Sequence, residues 1–182
     1  IAIGSGIIPS IDQPLFDLFP EHAEVATPEK RAITLRHALT MSFGLAWSEA
    51  ASYADTSNDE RRMNRSADPV RFVLSRPLAV APGTSFNYSG GATHLLAAAV
   101  QRAAGRPLLE YAREVLFDPL GITDVEWVHD SPDVPSAASG LRMRAVDAAK
   151  FGSLYLTQGR WRGRQVIPAA WVEATRTRQI DL

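Results

Sequence analysis

The run from Gly91 to Gly105, GATHLLAAAVQRAAG, limits the fold more than any other stretch of the chain. Its small and apolar residues occupy every side of a helix rather than one stripe, and a helix of that kind must be enclosed by other elements. Gly105 stands at the C′ position and ends it. The chain has 182 residues, 46% of them hydrophobic, enough for one region with a substantial core.

The flanking text supplies the walls. Thr34 is placed to cap a short helix over LRHALTM that stops near Gly44. Asp68 followed by Pro69 is a strong helix start for DPVRFVLSR. Pro82-Gly83 marks a turn before the long helix. After it, Leu108, Tyr111, Val115 and Leu116 form an apolar stripe at helical spacing, closed by Pro119 and Gly121. A further helix runs through Val146, Ala149, Phe151 and Leu154 to Gly159, and Pro168 opens a last one. A hairpin fits GRWRGRQVI between them. Pro9, Pro14, Pro20 and Pro28 leave 7–33 irregular, and residues 46–66 and 128–140 read as long loops. Strand signals are few, so the chain reads as mainly α, a single region over 1–182. Trp161 and Trp171 read as packing anchors, Gly121 and Gly140 as glycines required by backbone geometry, and Asp147 as a partner within its own helix.

Composition removes several functional classes. The formal charge is −1, which gives no electrostatic case for nucleic acid or an acidic membrane surface. The basic knots RRMNR and RWRGR are short and read as solvated surface. No apolar run is long enough to span a membrane. Without cysteine there is no thiol nucleophile, disulfide or thiolate metal site. The four histidines, His22, His37, His94 and His129, are scattered, with no spacing that suits zinc. His94 reads as a core histidine. No phosphate-binding glycine loop is present. The nearest approach to a Gly-x-Ser-x-Gly elbow, Asn87-Tyr88-Ser89-Gly90-Gly91, lacks the first glycine. Nothing in the residues calls for a metal or a cofactor. A Ser-His-Asp triad stays open, since its members need not be close in the chain.

Four segments in order carry a resemblance: ITLRHALTMSFGL at 33–45, PGTSFNYSGG at 82–91, LLEYAREVLFDPLGITDVEW at 108–127 and GLRMRAVDAAKFGSLYLTQGRWRGRQVIPAAWV at 140–172. Together they resemble the class C β-lactamase-related serine hydrolases, a family of esterases, D-amino-acid peptidases, 6-aminohexanoate-dimer hydrolases and penicillin-binding proteins. The resemblance implies the helical region of an α+β β-lactamase/transpeptidase-like fold, acting on a small-molecule ester, amide or β-lactam. It leaves oligomeric state and compartment open, since relatives occur in the periplasm, outside the cell and in the cytoplasm.

By this resemblance Tyr88 falls on the tyrosine of a Tyr-x-Asn or Tyr-x-Ser element that faces the active site. A serine hydroxyl must lose its proton as it attacks an acyl carbon. A phenol titrates near ~10, and drawing that to neutrality takes about 4 kcal/mol of preferential interaction with the phenolate. In the family an ammonium from Ser-x-x-Lys supplies much of this. Here Lys30 and Lys150 are the only lysines, with Thr27 and Asp147 three positions before them. IAIGSG reads as the last turn of a helix, so the resemblance implies that the nucleophile lies roughly ten residues before Ile1, about three helical turns. It also implies that the third element, Lys-Thr-Gly or His-x-Gly on a sheet edge, follows the region ending near Leu182. The expectation is a central piece without turnover of its own.

The third position of the tyrosine element is Gly90, where the family usually has Asn or Ser. This departs from a β-lactam or peptide pattern and suits an ester or an atypical amide. It also leaves open a non-catalytic binding or scaffold domain. Ser89 is either a substrate contact or a helix N-cap. Trp47, with Glu49 beside it, is either pocket wall or a packed loop aromatic. Trp127 and His129 open a loop that can line the cleft.

Overall fold

The computed structural model describes residues 1–128 and 134–180. Seven helices follow one another: α1 Leu35–Leu39, α2 Asp59–Asn64, α3 Pro69–Ser75, α4 Gly90–Ala104, α5 Leu108–Ala112, α6 Ala145–Leu156 and α7 Ala169–Arg176. Two small antiparallel strand pairs accompany them. Strand β1 (Val125–Trp127) pairs with β2 (Leu141–Met143), Val125 opposite Met143. The hairpin strands β3 (Arg160–Trp161) and β4 (Arg164–Gln165) pair with Arg160 opposite Gln165.

Helix α4 is the centre, as its composition requires. Ala92, Leu95 and Ala99 are fully enclosed, and α1, α3 and α5 pack around it. The N-terminus is capped by the Ser89 hydroxyl, which accepts the Ala92 N–H at 3.1 Å. Gly105, at φ +65°, ends it in the left-handed conformation. Around α4 lies the larger core cluster, including Leu15, Ile33, Phe43, Leu45, Trp47 and Leu74. A smaller cluster of Phe117, Leu120, Ile122, Val125 and Leu154 lies between α5, β1 and α6, and the Trp127 ring packs against both. Past α5 the chain widens into a π-turn over Arg113–Phe117, with the Asp118 N–H reaching the Arg113 carbonyl five residues back.

The capped helices form where expected. The Asp68 carboxylate accepts the Arg71 N–H at 2.8 Å, with Pro69 in the first turn of α3. Thr34 precedes α1, and its N–H donates to Nδ1 of His37. Asp147 pairs with Lys150 within α6 and with Arg144 just before it. Two segments differ from expectation. Residues 59–64 are helical rather than loop: the Asn58 side chain accepts the Arg61 N–H and starts α2. The basic knot at 61–65 is thus largely a helix face. Residues 2–5 form turns rather than the end of a regular helix, and 7–33 is built of short 3-10 turns between its prolines.

Candidate active site

Tyr88 is the last residue but one before α4, and 56% of its surface is exposed. The strand-like approach to it is held by backbone bonds. The Gly83 N–H donates to the Ser42 carbonyl at 2.7 Å, and the Asn87 N–H to the Met41 carbonyl at 2.8 Å. Segment 44–46 pairs with 77–79 through Ala46 to Pro77 and Ala79 to Gly44. Gly44 has φ +79°, and a Cβ there would lie 2.4 Å from the Val80 carbonyl oxygen, so only glycine lets the two segments approach.

A second set of bonds connects the tyrosine turn to Trp47–Glu49. The Asn87 side-chain amide donates to the Trp47 carbonyl at 3.0 Å. One oxygen of Glu49, Oε1, accepts the Trp47 indole N–H at 2.5 Å and the Gly90 N–H at 2.6 Å. The indole is buried, edge-on to Phe72 at 6.3 Å between centroids, and a Cβ on Gly91 would meet it at 2.8 Å. Trp47 is therefore a packed aromatic with its donor committed to Glu49. Ser89 is fully buried and its hydroxyl caps α4. The space where Gly90 would carry a side chain is taken by carboxylates: a Cβ there would lie 3.1 Å from Glu49 Oε1 and 3.3 Å from Glu60 Oε1.

Trp47–Glu49 is itself fastened from below. Ser48 and Asp59 exchange bonds, the Ser48 N–H to the Asp59 carboxylate and the Asp59 N–H to the Ser48 carbonyl, both 2.9 Å. The Asp59 side chain is 4% exposed and bridges Arg62 at 2.9 Å and Arg76 at 3.4 Å. Both guanidinium groups stack on Phe72, and Arg76 Nε also donates to the Ala46 carbonyl. Phe86, two residues before Tyr88, lines an apolar cavity of about 520 Å³ with Leu39, Met41 and Trp171.

The other candidates lie elsewhere. His94 is buried, and burial holds its imidazole down at a pKa of about 4, so it is neutral near pH 7. The Trp127 indole donates to the Ser136 carbonyl at 3.2 Å; His129 lies outside the described residues. A Cβ on Gly140 would come 2.7 Å from the Ser136 carbonyl oxygen, the close approach expected of it. Among the described residues no group of three or more His, Asp and Glu side chains is placed to hold a metal ion, and no helix is long and apolar enough to cross a membrane.

The profile of the family described as Beta-lactamase matches residues 9–179. The chain belongs to the beta-lactamase family. Two curated proteins are similar in sequence. One is a lovastatin esterase of Penicillium rubens, 32% identical over 128 residues, covering 66% of this chain and 29% of that protein. The other is esterase EstB of Burkholderia gladioli, 30% identical over 140 residues, covering 68% of this chain and 33% of that one. The chain thus spans about a third of the length of the curated relatives it matches. In three dimensions it resembles the octameric penicillin-binding protein homologue of Pyrococcus abyssi, with a TM-score of 0.72 and 20% identity over all of this chain and 46% of that one. The architecture is the helical region of the beta-lactamase-like fold, as the four sequence segments implied.

Within this beta-lactamase-family frame, sequence reasoning missed the clasp beneath the tyrosine turn. Glu49 and Asp59 stand in polar text with no motif around them, and the partners that tie them to the rest of the fold, Gly90, Ser48 and Arg76, are farther away in the chain. The signal that was present is Gly90: a small residue directly after a helix cap leaves space that another side chain can fill.

Proposed function

We propose that this chain forms the tyrosine-bearing cleft wall of a serine hydrolase that cleaves a small ester or amide through an acyl-enzyme. The observation that carries the reading is Tyr88, a half-exposed phenol at the head of the buried helix α4, on a turn tethered on both sides. Family membership and the esterase names of two relatives support it.

In this reading the nucleophile is a Ser-x-x-Lys serine outside residues 1–182, since neither Lys30 nor Lys150 has a serine three positions before it. In the phenolate form that the Ser-x-x-Lys ammonium would favour, Tyr88 accepts the serine proton as the serine oxygen attacks the acyl carbon. Tyr88 then returns the proton to the leaving alcohol or amine as the carbon–oxygen or carbon–nitrogen bond breaks. Water reverses the sequence to release the acid. The region 1–182 serves as one unit. With Gly90 the turn presents no side-chain amide to a substrate, and Trp47 and Ser89 act by shaping the turn, which favours esters over β-lactams.

The test is the intact mass before and after a fluorophosphonate. The 182-residue chain, near 19.8 kDa, is expected to remain unmodified. The protein carrying the Ser-x-x-Lys segment is expected to gain one adduct, and Tyr88→Phe in it to lower kcat on an aryl ester by about 10²–10⁴-fold. An adduct within residues 1–182, or full kcat in Tyr88→Phe, would refute the assignment. No adduct on the longer protein would instead favour a binding domain that keeps the fold without the chemistry.

A further inference from the structure

The geometry points to Glu49 as the positioning residue of the active-site tyrosine, an inference that rests on the reading of Tyr88 above. Tyr88 has no helix of its own to hold it: it precedes α4 and more than half of its surface is open. Its place is set by its neighbours, Asn87 and Gly90. Both are bound to the segment Trp47–Glu49, Asn87 to the Trp47 carbonyl and Gly90 to the Glu49 carboxylate.

The Glu49 bond is the stronger of the two tethers. It is a short bond to a carboxylate oxygen, 2.6 Å, and the same oxygen takes the Trp47 indole N–H at 2.5 Å. Bonds of this type are shorter and roughly twice as strong as neutral ones. One oxygen thereby fixes the buried indole and the first turn of α4 relative to each other. The indole is wedged against Gly91 and Phe72, so it has no freedom to follow a moving turn. The lower end of the same segment is pinned by Asp59 through Ser48. A rigid path therefore runs from Asp59 through Ser48 and Glu49 to Gly90, ending two residues from the phenol.

Gly90 leaves Glu49 this room without crowding. A side chain there would reach the space that the carboxylates of Glu49 and Glu60 occupy. Where the resemblance implies Asn or Ser, this chain has Gly90, with the Glu49 carboxylate gripping its backbone N–H.

Positioning of this kind shows in turnover, because a displacement of about 1 Å at a reacting group costs on the order of 10²-fold in rate. In the protein carrying the nucleophile segment, with p-nitrophenyl acetate as substrate, Glu49→Ala is expected to lower kcat by ~10–100-fold. KM stays within about twofold, because Glu49 touches the turn and not the ester. Glu49→Gln keeps an oxygen acceptor for both N–H groups and is expected to restore kcat to within about threefold of the parent, with the pH profile unmoved. A 3-fluorotyrosine at position 88 gives a readout independent of turnover: its ¹⁹F line should hold in Glu49→Gln and shift or broaden in Glu49→Ala.

Full kcat and an unmoved ¹⁹F line in a folded Glu49→Ala protein would overturn the inference. So would a Glu49→Gln protein that loses as much as Glu49→Ala. If Glu49→Ala does not fold, Glu49→Leu takes its place, and failure of both to fold while Glu49→Gln is normal would assign the residue to stability alone and also overturn it. Tyr88→Phe is the separate control: if that variant keeps full kcat, the reading of Tyr88 has failed, whereas a dead Tyr88→Phe beside a fully active Glu49→Ala fails the positioning role alone.

Discussion

Asp147 and Lys150 face each other across one turn of α6, with Nζ 2.6 Å from Oδ1, and Arg144 closes on the other oxygen at 2.7 Å. The Asp147 side chain is fully enclosed by its surroundings. The hydrogen bonds from Arg144 and Lys150 hold its carboxyl below the usual carboxylate range. A depressed carboxylate contributes stability that is present above the unfolded-state pKa, near ~3.9, and is lost as pH falls through the lower folded value. Asp147→Asn is therefore expected to lower Tm at pH 7, and the gap from the parent should close on acidification below about pH 4. Thermal melts at pH 7 and pH 3 measure both.

His94 gives the opposite kind of residue a similar slope. Burial is the main cause of its depressed pKa of about 4, partly opposed by the Asp68 carboxylate. The unfolded chain takes up this proton near pH ~6.5 and the folded chain only near 4, so stability is complete above pH 6.5 and falls as pH drops between the two values. The full effect amounts to about 3 kcal/mol. His94→Gln should flatten the stability curve between pH 7 and 4.5, measured by urea unfolding. An unchanged slope in the variant would show that His94 does not carry it.

Gly44→Ala tests the close approach beneath the tyrosine turn. The left-handed φ of +79° strains any other residue, and the added Cβ would sit 2.4 Å from the Val80 oxygen. The expected cost is about 3 kcal/mol in chemical denaturation. A cost under 1 kcal/mol would mean that segment 78–82 moves away freely.

Trp47→Phe separates the ring from its donor. A phenyl ring keeps contact with Phe72 and the Gly91 side of α4 but leaves Glu49 with one donor instead of two. Loss of a hydrogen bond to a charged group is expected to cost about 2 kcal/mol. Urea unfolding reports the stability, and hydrogen exchange at the Gly90 N–H reports whether the remaining bond holds.

The parts of this fold that were legible in the sequence are those fixed locally. Asp68-Pro69 announces α3 because a cap and a fixed φ act within one turn, and Gly105 ends α4 for the same reason. Helix α4 itself was readable because a helix apolar on all sides has nowhere to go but the centre. Helix α2 was not, since DERRMN buries chiefly Met63 and its enclosed acid, Asp59, and shows no apolar period. Its Asn58 cap and Asp59–Arg62 pair are local, but Asp59 is also held by Ser48 and Arg76, contacts that form only once the chain has folded. The site divides in the same way. Tyr88 was singled out from its motif, whereas Glu49 reaches Gly90 across a separation of 41 residues that no local pattern encodes.

The clasp between Ser48 and Asp59 has a consequence for how this chain can change. It closes residues 49–58 into a loop whose two ends are fixed to the body, while 52–57 at its tip are exposed. A loop tied at its base transmits little of what happens at its crown, and exposed polar tips accept insertions readily. Length and composition can drift between Ser52 and Ser57 with little effect on the turn that carries Tyr88. Insertions between Ser42 and Ser48 have no such freedom, because every residue gained would be felt at Tyr88.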